Sequence, residues 1–212
     1  MSRDISRRLI LGLLALAPTG VLAAPAAPPL SADDQALVDK AVAFLQALSK
    51  AKGRFAQTDD HGKTAVGDIY LQRPGKVRFE YDPPNNNFLM VSDGNQVEFL
   101  DTKLGSPTIG PLRATPLSLF LSKEIRLDRG VQVTKVERGD GVFTITARDG
   151  RGDTAGQIEI VFGADPISLK EWTVTNAQRQ RTRIQLTGLK SVASLNPDLF
   201  RVDTPRNAFK SH

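Results

Sequence analysis

The chain has 212 residues, a length typical of one domain with or without a leader, and 40% of the residues are hydrophobic. The formal net charge is +5 with no long run of like charges, and aromatic residues make up only 6%, so a nucleic-acid-binding protein is disfavoured. The sequence contains no cysteine, which excludes thiolate catalysis, disulfides, Cys-ligated zinc and a lipid-modified N-terminal cysteine.

The N-terminus has the features of a secretory signal peptide. Three arginines fall within the first eight residues, an apolar run follows over residues 9–22, and small residues surround Ala23. This pattern predicts a cleaved signal at residues 1–23, followed by a flexible, proline-containing lead-in at residues 24–30. The adjacent arginines also resemble a twin-arginine signal, although an ordinary Sec signal is favoured. We expect a soluble exported protein in the periplasm of a Gram-negative bacterium.

An amphipathic helix is predicted directly after the lead-in. Ser31 is a suitable N-cap, because its hydroxyl can accept a hydrogen bond from a free backbone N–H group of the first turn. Gly53 is a residue type that often ends helices, so the sequence predicts a helix of about 20 residues. Its apolar stripe consists of Leu37, Ala41, Phe44, Leu45 and Leu48.

After Gly53 the hydrophobic period changes to two, which is typical of β-strands. Val77, Phe79 and Tyr81 alternate with Arg78 and Glu80 and indicate a half-buried strand. Glycine-containing turns at residues 92–95 and 139–141 join neighbouring strands. The spacing predicts one continuous antiparallel meander. The other predicted strands are residues 55–58, 65–72, 88–91, 97–100, 131–137, 142–147, 157–162, 168–175 and 182–189.

Two short helical segments interrupt or follow the strands. Residues 115–121 begin with Thr-Pro, which favours a helix start, and are apolar nearly all round. A short helix of this kind has to bury itself against the sheet. Residues 196–200 predict a further helical turn.

The sequence offers few catalytic arrangements, because it contains only two histidines and no cysteine. A Ser-His-Asp triad would need His61, which lies in an Asp-Asp-His-Gly turn, and no nucleophile motif accompanies it. Asp59, Asp60 and His61 lie on one short loop without the spacing of a metal site. Residues 150–156 are rich in glycine, but a hairpin loop fits them better than a phosphate-binding loop. We therefore expect neither an enzyme nor a cofactor or metal.

Three segments in order, residues 67–81, 91–101 and 115–121, carry a resemblance to the outer-membrane lipoprotein carrier family (LolA-like). The resemblance covers roughly residues 31–205. It implies a mainly β fold with a helical lid: an incomplete, half-open antiparallel β-barrel covered by a long N-terminal helix and short helices, enclosing an apolar cavity. On this interpretation residues 31–212 form a single lipoprotein-carrier domain.

The same resemblance implies a function. The chain would be a periplasmic carrier that binds the acyl chains of lipoproteins released from the inner membrane and delivers them to the outer membrane. Its partners would be acylated lipoproteins, an inner-membrane ABC transporter that releases them and an outer-membrane acceptor, and it would act as a monomer. An alternative is a periplasmic lipid-binding sensor or regulatory domain on the same half-barrel, because fold alone does not settle function. A hydrolase acting on envelope lipid would need His61.

The resemblance also implies site residues. Arg73 matches an arginine that holds the lid closed by hydrogen bonding, although an arginine before Pro-Gly is equally compatible with a simple turn. For the apolar strand and lid residues, ordinary core packing is the alternative to an acyl-chain cavity, and strand period does not distinguish the two. The candidate cavity residues are Val77, Phe79, Tyr81, Leu89, Val91, Phe99, Leu117, Phe120, Leu121, Phe143, Ile145, Ile160, Phe162, Trp172, Ile184 and Leu186.

Overall fold

The computed structural model describes residues 29–85, 87–101, 107–115, 117–125, 131–149, 156–176 and 178–201. The predicted signal peptide lies outside these residues, so it stays a prediction. Two α-helices and eleven strands are present in the described part. They are α1 (Ala32–Ala47), β1 (Lys50–Thr58), β2 (Thr64–Gln72), β3 (Lys76–Tyr81), β4 (Phe88–Asp93), β5 (Gln96–Asp101), β6 (Pro107–Pro111), α2 (Leu117–Leu121), β7 (Val131–Gly139), β8 (Val142–Asp149), β9 (Gln157–Ala164), β10 (Ile167–Thr175) and β11 (Arg181–Ser191).

All eleven strands belong to one antiparallel sheet, in the order β6-β5-β4-β3-β2-β1-β11-β10-β9-β8-β7. Pairing of β1 with β11 joins two meanders, one before α2 and one after it. The sheet is open, because β6 and β7 lie at its two edges. The predicted antiparallel sheet is confirmed, whereas a barrel that encloses an apolar cavity is not. Strand β6 is an addition that the sequence pattern did not predict.

The sheet is strongly curved, and one face is concave. Phe79 on β3 and Trp172 on β10 are four strand steps apart in the sheet order. That separation is about 19 Å across a flat sheet with a strand spacing of about 4.8 Å. The centroids of their rings are only 6.4 Å apart. The two halves of the sheet therefore bend toward each other, and their inward side chains share one core.

Helix α1 begins as predicted but ends early. The Ser31 hydroxyl accepts a 3.1 Å hydrogen bond from the Asp34 N–H, and the helix runs for 16 residues. The prediction that it continues to Gly53 was wrong. The residues from Lys50 onward form β1 (Lys50–Thr58), a central strand that is hydrogen-bonded to both β2 and β11. Gly53 lies inside that strand, where a Cβ atom would come within 2.8 Å of the Leu189 Cα atom.

Helices α1 and α2 pack against the concave face of the sheet. Val38, Ala41 and Leu45 of α1 are buried, and so are Phe120 and Leu121 of α2. The predicted short helix is thus confirmed, as α2 (Leu117–Leu121) after a 3₁₀ turn at Leu112–Ala114. Burial of each large apolar side chain is worth about 1.5–3 kcal/mol, so this packing attaches both helices to the sheet.

A short helical segment near the C-terminus packs against the outer face of the sheet. The predicted helical turn near the C-terminus is confirmed as a 3₁₀ helix, Pro197–Phe200, capped by the Asn196 side chain. It lies against β3 and β4 and buries Phe200. The Arg78 side chain donates a 2.9 Å hydrogen bond to the Leu199 carbonyl. Neither α-helix among the described residues has the length and apolar character needed to cross a membrane.

Candidate functional site

The turn between β2 and β3, formed by Arg73, Pro74 and Gly75, lies against the C-terminal ends of both α-helices. The Arg73 guanidinium donates through Nη1 to the carbonyl of Leu45 in the last turn of α1. Through Nη2 it donates a 2.5 Å hydrogen bond to the carbonyl of Ser122, one residue after α2. A single side chain thus links the ends of both helices to the sheet.

The backbone of the same turn adds two further hydrogen bonds. The Arg73 N–H donates to the Ser49 carbonyl over 2.7 Å, and the Gly75 N–H donates to the Leu121 carbonyl over 2.8 Å. Carbonyls at helix ends have no partner within their own helix and need one from elsewhere. The turn supplies these partners, and the positive guanidinium is also favourable at the negative end of α1.

Among the residues that the structure describes, none forms an ion pair with Arg73. Burial lowers the pKa of its guanidinium, but arginine remains charged at any ordinary pH. Its Nε atom is buried and has no hydrogen-bond partner in the described structure. The cation is therefore stabilised by carbonyl groups, which fits the five-donor fork of arginine better than the single ammonium of lysine.

Most of the predicted cavity residues come together on the concave face. The structure places them in one apolar cluster with the buried side chains of α1. Paired residues of neighbouring strands share a face, and the pairs Phe143–Phe162, Ile145–Ile160 and Trp172–Ile184 follow this rule. The predicted residues in the cluster are Val77, Phe79, Tyr81, Leu117, Phe120, Leu121, Phe143, Ile145, Ile160, Phe162, Trp172, Ile184 and Leu186.

Leu89 and Val91 do not belong to this set, and their prediction as cavity residues was wrong. They pair with Glu80 and Arg78, whose side chains lie on the outer face. The run of four apolar residues from Phe88 to Val91 has no alternation, so the sequence alone did not define its inward face. Pairing of Phe79 with Met90 shows that Met90 is the inward residue.

An apolar strip continues from the core toward the β6 edge of the sheet. Phe99 pairs with Met90 and therefore lies on the concave face, where it is 39% exposed. Phe88 stacks on Phe99, with ring centroids 5.5 Å apart. Val97 is also partly buried on this face. Phe88, Met90 and Val97 are only partly buried, so together with Phe99 they form an apolar strip that the core covers incompletely.

A small apolar cavity lies between α1, α2, β8 and β9 and has about 20 Å³ of free space, roughly the room that one water molecule needs. Its walls include residues that the sequence reasoning did not single out, namely Val42, Ile125, Ala147 and Ile158. The helical period of α1 predicted the apolar stripe on one side of this cavity, but it did not predict which strand residues lie on the other side.

The Tyr81 hydroxyl is a polar group on the mainly apolar concave face. It donates a 2.8 Å hydrogen bond to Oε1 of Gln57. Burial raises the pKa of Tyr81 to about 12, so the phenol is neutral at physiological pH. The concave face therefore carries no charge at this position.

The turn that contains His61 has the geometry of a surface loop. Asp59 accepts hydrogen bonds through Oδ1 from the N–H groups of His61 and Lys63, at 3.0 and 2.8 Å. The His61 side chain is 86% exposed. Among the residues that the structure describes, no group of three acidic, histidine or cysteine side chains is arranged to hold a metal ion.

Two solved structures align with most of this chain but share little sequence with it. A DUF1329 family protein from Desulfovibrio piger aligns with a TM-score of 0.50 and 12% identity, covering 80% of this chain and 96% of that one. A LolA superfamily protein from Nitrosomonas europaea aligns with a TM-score of 0.47 and 9% identity, covering 80% of this chain and 98% of that one. The similarity to the Desulfovibrio piger protein concerns the fold alone.

Sequence comparison is more specific. The family model described as "Outer membrane lipoprotein carrier protein LolA" matches residues 46–203. Two proteins named outer-membrane lipoprotein carrier protein are similar over most of their length. The Pseudomonas syringae pv. syringae protein is 31% identical over 77% of this chain and 83% of its own. The Methylococcus capsulatus protein is 27% identical over 76% of this chain and 81% of its own. The chain therefore belongs to the outer membrane lipoprotein carrier protein (LolA) family, as the resemblance of its motifs predicted.

Proposed function

We propose that this chain is a periplasmic carrier that binds lipoprotein acyl chains on its concave face, beneath α1 and α2, and delivers them to the outer membrane. The observation that carries the proposal is the apolar concave face covered by two helices whose ends are held by one turn. Membership of the carrier family supports the choice of ligand.

The physical need for such a carrier is large. Each CH₂ group of an acyl chain costs about 0.8 kcal/mol when it is exposed to water. In the observed state, the concave face is covered by α2 side chains such as Phe120, which stacks on Trp172. On binding, an acyl chain would replace the α2 side chains as the apolar cover of the concave face. Because the two covers are chemically alike, the exchange would be reversible and would need no ATP at the carrier.

Helix α2 is the better candidate for the moving element. Helix α1 is attached along its length, by an ion pair between Asp34 and Arg138 at 2.8 Å and by a 2.9 Å hydrogen bond from Lys40 to the Ala164 carbonyl. In the described part of the chain, the polar contacts between the end of α2 and the sheet come from the Arg73–Gly75 turn. Arg73 would therefore act as the lid-closing residue.

The route of delivery and its partners are part of the same proposal. Residues 1–23 would direct export to the periplasm. An inner-membrane ABC transporter would hand over the lipoprotein, and an outer-membrane acceptor would receive it. The carrier would work as a monomer without cofactor or metal, since its task is apolar shielding rather than bond chemistry.

A transfer assay tests this proposal. Purified residues 24–212 are incubated with proteoliposomes that contain the transporter and a labelled lipoprotein, with or without ATP. The expected result is an ATP-dependent soluble one-to-one complex. The lipoprotein carrier of Pseudomonas syringae serves as the positive control. Absence of a complex while that relative forms one would overturn the proposal, and binding of a fluorescent fatty acid alone would favour a lipid-binding sensor.

A matched pair of variants ties the complex to the concave face. Met90→Lys places a charge on the partly exposed apolar strip. Val66→Lys places the same charge on an outward side chain that is 43% exposed. We expect Met90→Lys to abolish the complex and Val66→Lys to leave it intact. Equal complex formation by both variants would show that the strip does not contact the ligand.

A further inference from the structure

Ser92 is a buried hydroxyl whose position the apolar core does not explain. It lies on β4 opposite Val77, with its side chain on the concave side, and it is 0% exposed. Its Oγ atom donates a 2.7 Å hydrogen bond to the carbonyl of Gly75. A buried hydroxyl without a partner is destabilising, and Gly75 provides the partner here. The hydrogen bond therefore joins β4 to the turn that holds the helices.

The backbone N–H and the backbone carbonyl of Gly75 form hydrogen bonds with two different parts of the structure. Its N–H donates to the Leu121 carbonyl at the end of α2, over 2.8 Å, while its carbonyl accepts from Ser92. Gly75 has φ +77°, and a Cβ atom there would lie 2.5 Å from the Cα atom of Gly94. Only glycine fits this crowded, left-handed position. The residue is thus fixed in place by its neighbours on the β4–β5 turn.

We propose that Ser92 is a positioning residue for closure of the lid: it fixes Gly75 so that the Gly75 N–H holds the end of α2. This attachment is independent of the Arg73 side chain, and it engages α2 but not α1. The inference rests on the proposed function, because that function is what gives α2 its role as a lid. The hydrogen-bond chain from Ser92 through Gly75 to Leu121 stands on the geometry alone.

Hydrogen exchange of the Gly75 amide tests the inference directly, because this amide is the donor to α2. In Ser92→Ala we expect the Gly75 N–H to exchange about tenfold faster, since the residue loses one of its two fixed hydrogen bonds. Amides in the middle of β9, such as Ile160, should exchange at the wild-type rate. Thr173→Val, which removes another buried hydroxyl away from this turn, is the matched control. It should leave Gly75 unchanged.

An unchanged Gly75 exchange rate in Ser92→Ala would overturn the inference. A rise of equal size at Gly75 and Ile160 would also overturn it, because it would show a general structural role. Ser92→Cys keeps a weak donor of similar size and should give an intermediate rate. It replaces the alanine variant if that variant does not fold.

The lipid measurement is kept separate from the exchange measurement. If Ser92→Ala accelerates Gly75 exchange and also speeds loss of lipoprotein from the complex of the transfer assay, both the inference and the proposed function are supported. If exchange accelerates but wild-type protein forms no complex with lipoprotein, Ser92 still positions the α2 attachment, and the carrier proposal fails. Faster loss of lipoprotein with unchanged Gly75 exchange would contradict the assignment of Ser92.

Discussion

The ring of Phe120 on α2 stacks on the ring of Trp172 on β10, with centroids 5.3 Å apart and planes inclined by 29°. Both side chains are almost completely buried. Trp172 also contacts Phe79, so the indole lies where α2 and the two halves of the curved sheet meet. Because the sequence contains a single tryptophan, the intrinsic fluorescence of the protein reports on this contact.

Phe120→Ala is expected to loosen α2 and hydrate Trp172. Loss of a large buried aromatic side chain typically costs about 3–5 kcal/mol of unfolding free energy. We expect a lower urea midpoint, a red-shifted Trp172 emission and stronger quenching by acrylamide. Ile109→Ala removes a side chain that is 53% exposed and should leave all three readings unchanged. A Trp172 that stays shielded in Phe120→Ala would mean that α2 does not cover it in solution.

Replacement of Arg73 should release the helices without unfolding the sheet. Arg73→Leu removes both side-chain bonds, to Leu45 and Ser122, but keeps the backbone bond from Gly75 to Leu121. We expect faster amide exchange at Ser122, whose N–H bonds to the Ser118 carbonyl in the last turn of α2, and reduced transfer of lipoprotein.

The matched variants for this prediction are Arg73→Lys and Arg54→Leu. A lysine ammonium does not reproduce the planar fork of arginine, so Arg73→Lys should restore little of the wild-type behaviour. Arg54 forms ion pairs with Asp68 and Asp82 on the surface, and its loss should leave exchange at Ser122 unchanged. Full rescue by lysine would show that the charge alone, and not the bridging geometry, holds the lid.

The sequence predicted those features that follow from local periodicity. The alternation of Val77, Phe79 and Tyr81 identified an inward face that the structure confirms. Strand β6 was missed because Pro107–Pro111 contains two prolines and a glycine and has no alternation of apolar residues. The early end of α1 was missed because glycine is common at helix ends, and only the pairing of Lys50–Thr58 on both sides shows it to be a strand.

The candidate site was predicted less completely, because its contacts are long-range. Arg73 could be singled out by resemblance, but its partners are backbone carbonyls, which have no sequence pattern. Ser92 was predicted only as part of a hairpin turn. Its contact with Gly75 depends on the approach of two turns that are separate along the chain. Local pattern thus identifies inward faces, while tertiary packing decides which polar groups hold the helices.

The glycine in the middle of β1 provides a test of the strand assignment. A Cβ atom at Gly53 would lie 2.8 Å from the Leu189 Cα atom and 3.2 Å from the Thr187 carbonyl oxygen. Because both contacts involve backbone, relief requires movement of β11, and overpacking of this kind costs about 1–3 kcal/mol. We expect Gly53→Ala to lower the urea midpoint. Gly110→Ala is the control, since nothing lies within 4 Å of a Cβ atom at that strand position. Equal stability of the two variants would argue against the tight pairing of β1 with β11.

The buried phenol of Tyr81 predicts a loss of stability at alkaline pH. Burial raises the pKa of Tyr81 to about 12, whereas an unfolded tyrosine has a pKa of about 10. A raised pKa in the folded state means that the neutral phenol is the form that folding favours. Its contribution to stability is therefore complete below about pH 10 and is lost as the pH rises from there toward about 12.

Absorbance of the phenolate during an alkaline titration measures this directly, because the sequence contains only two tyrosines. Burial also raises the pKa of the second one, Tyr70, so we expect less phenolate at pH 10 than two fully exposed tyrosines would give. Tyr81→Phe should remove the later ionisation step and leave that of Tyr70. It should also reduce the fall in unfolding free energy that wild-type protein shows between about pH 10 and 12. If Tyr81 ionised near pH 10 while the protein stayed folded, the phenol would be in contact with water, and the concave face would be open in solution.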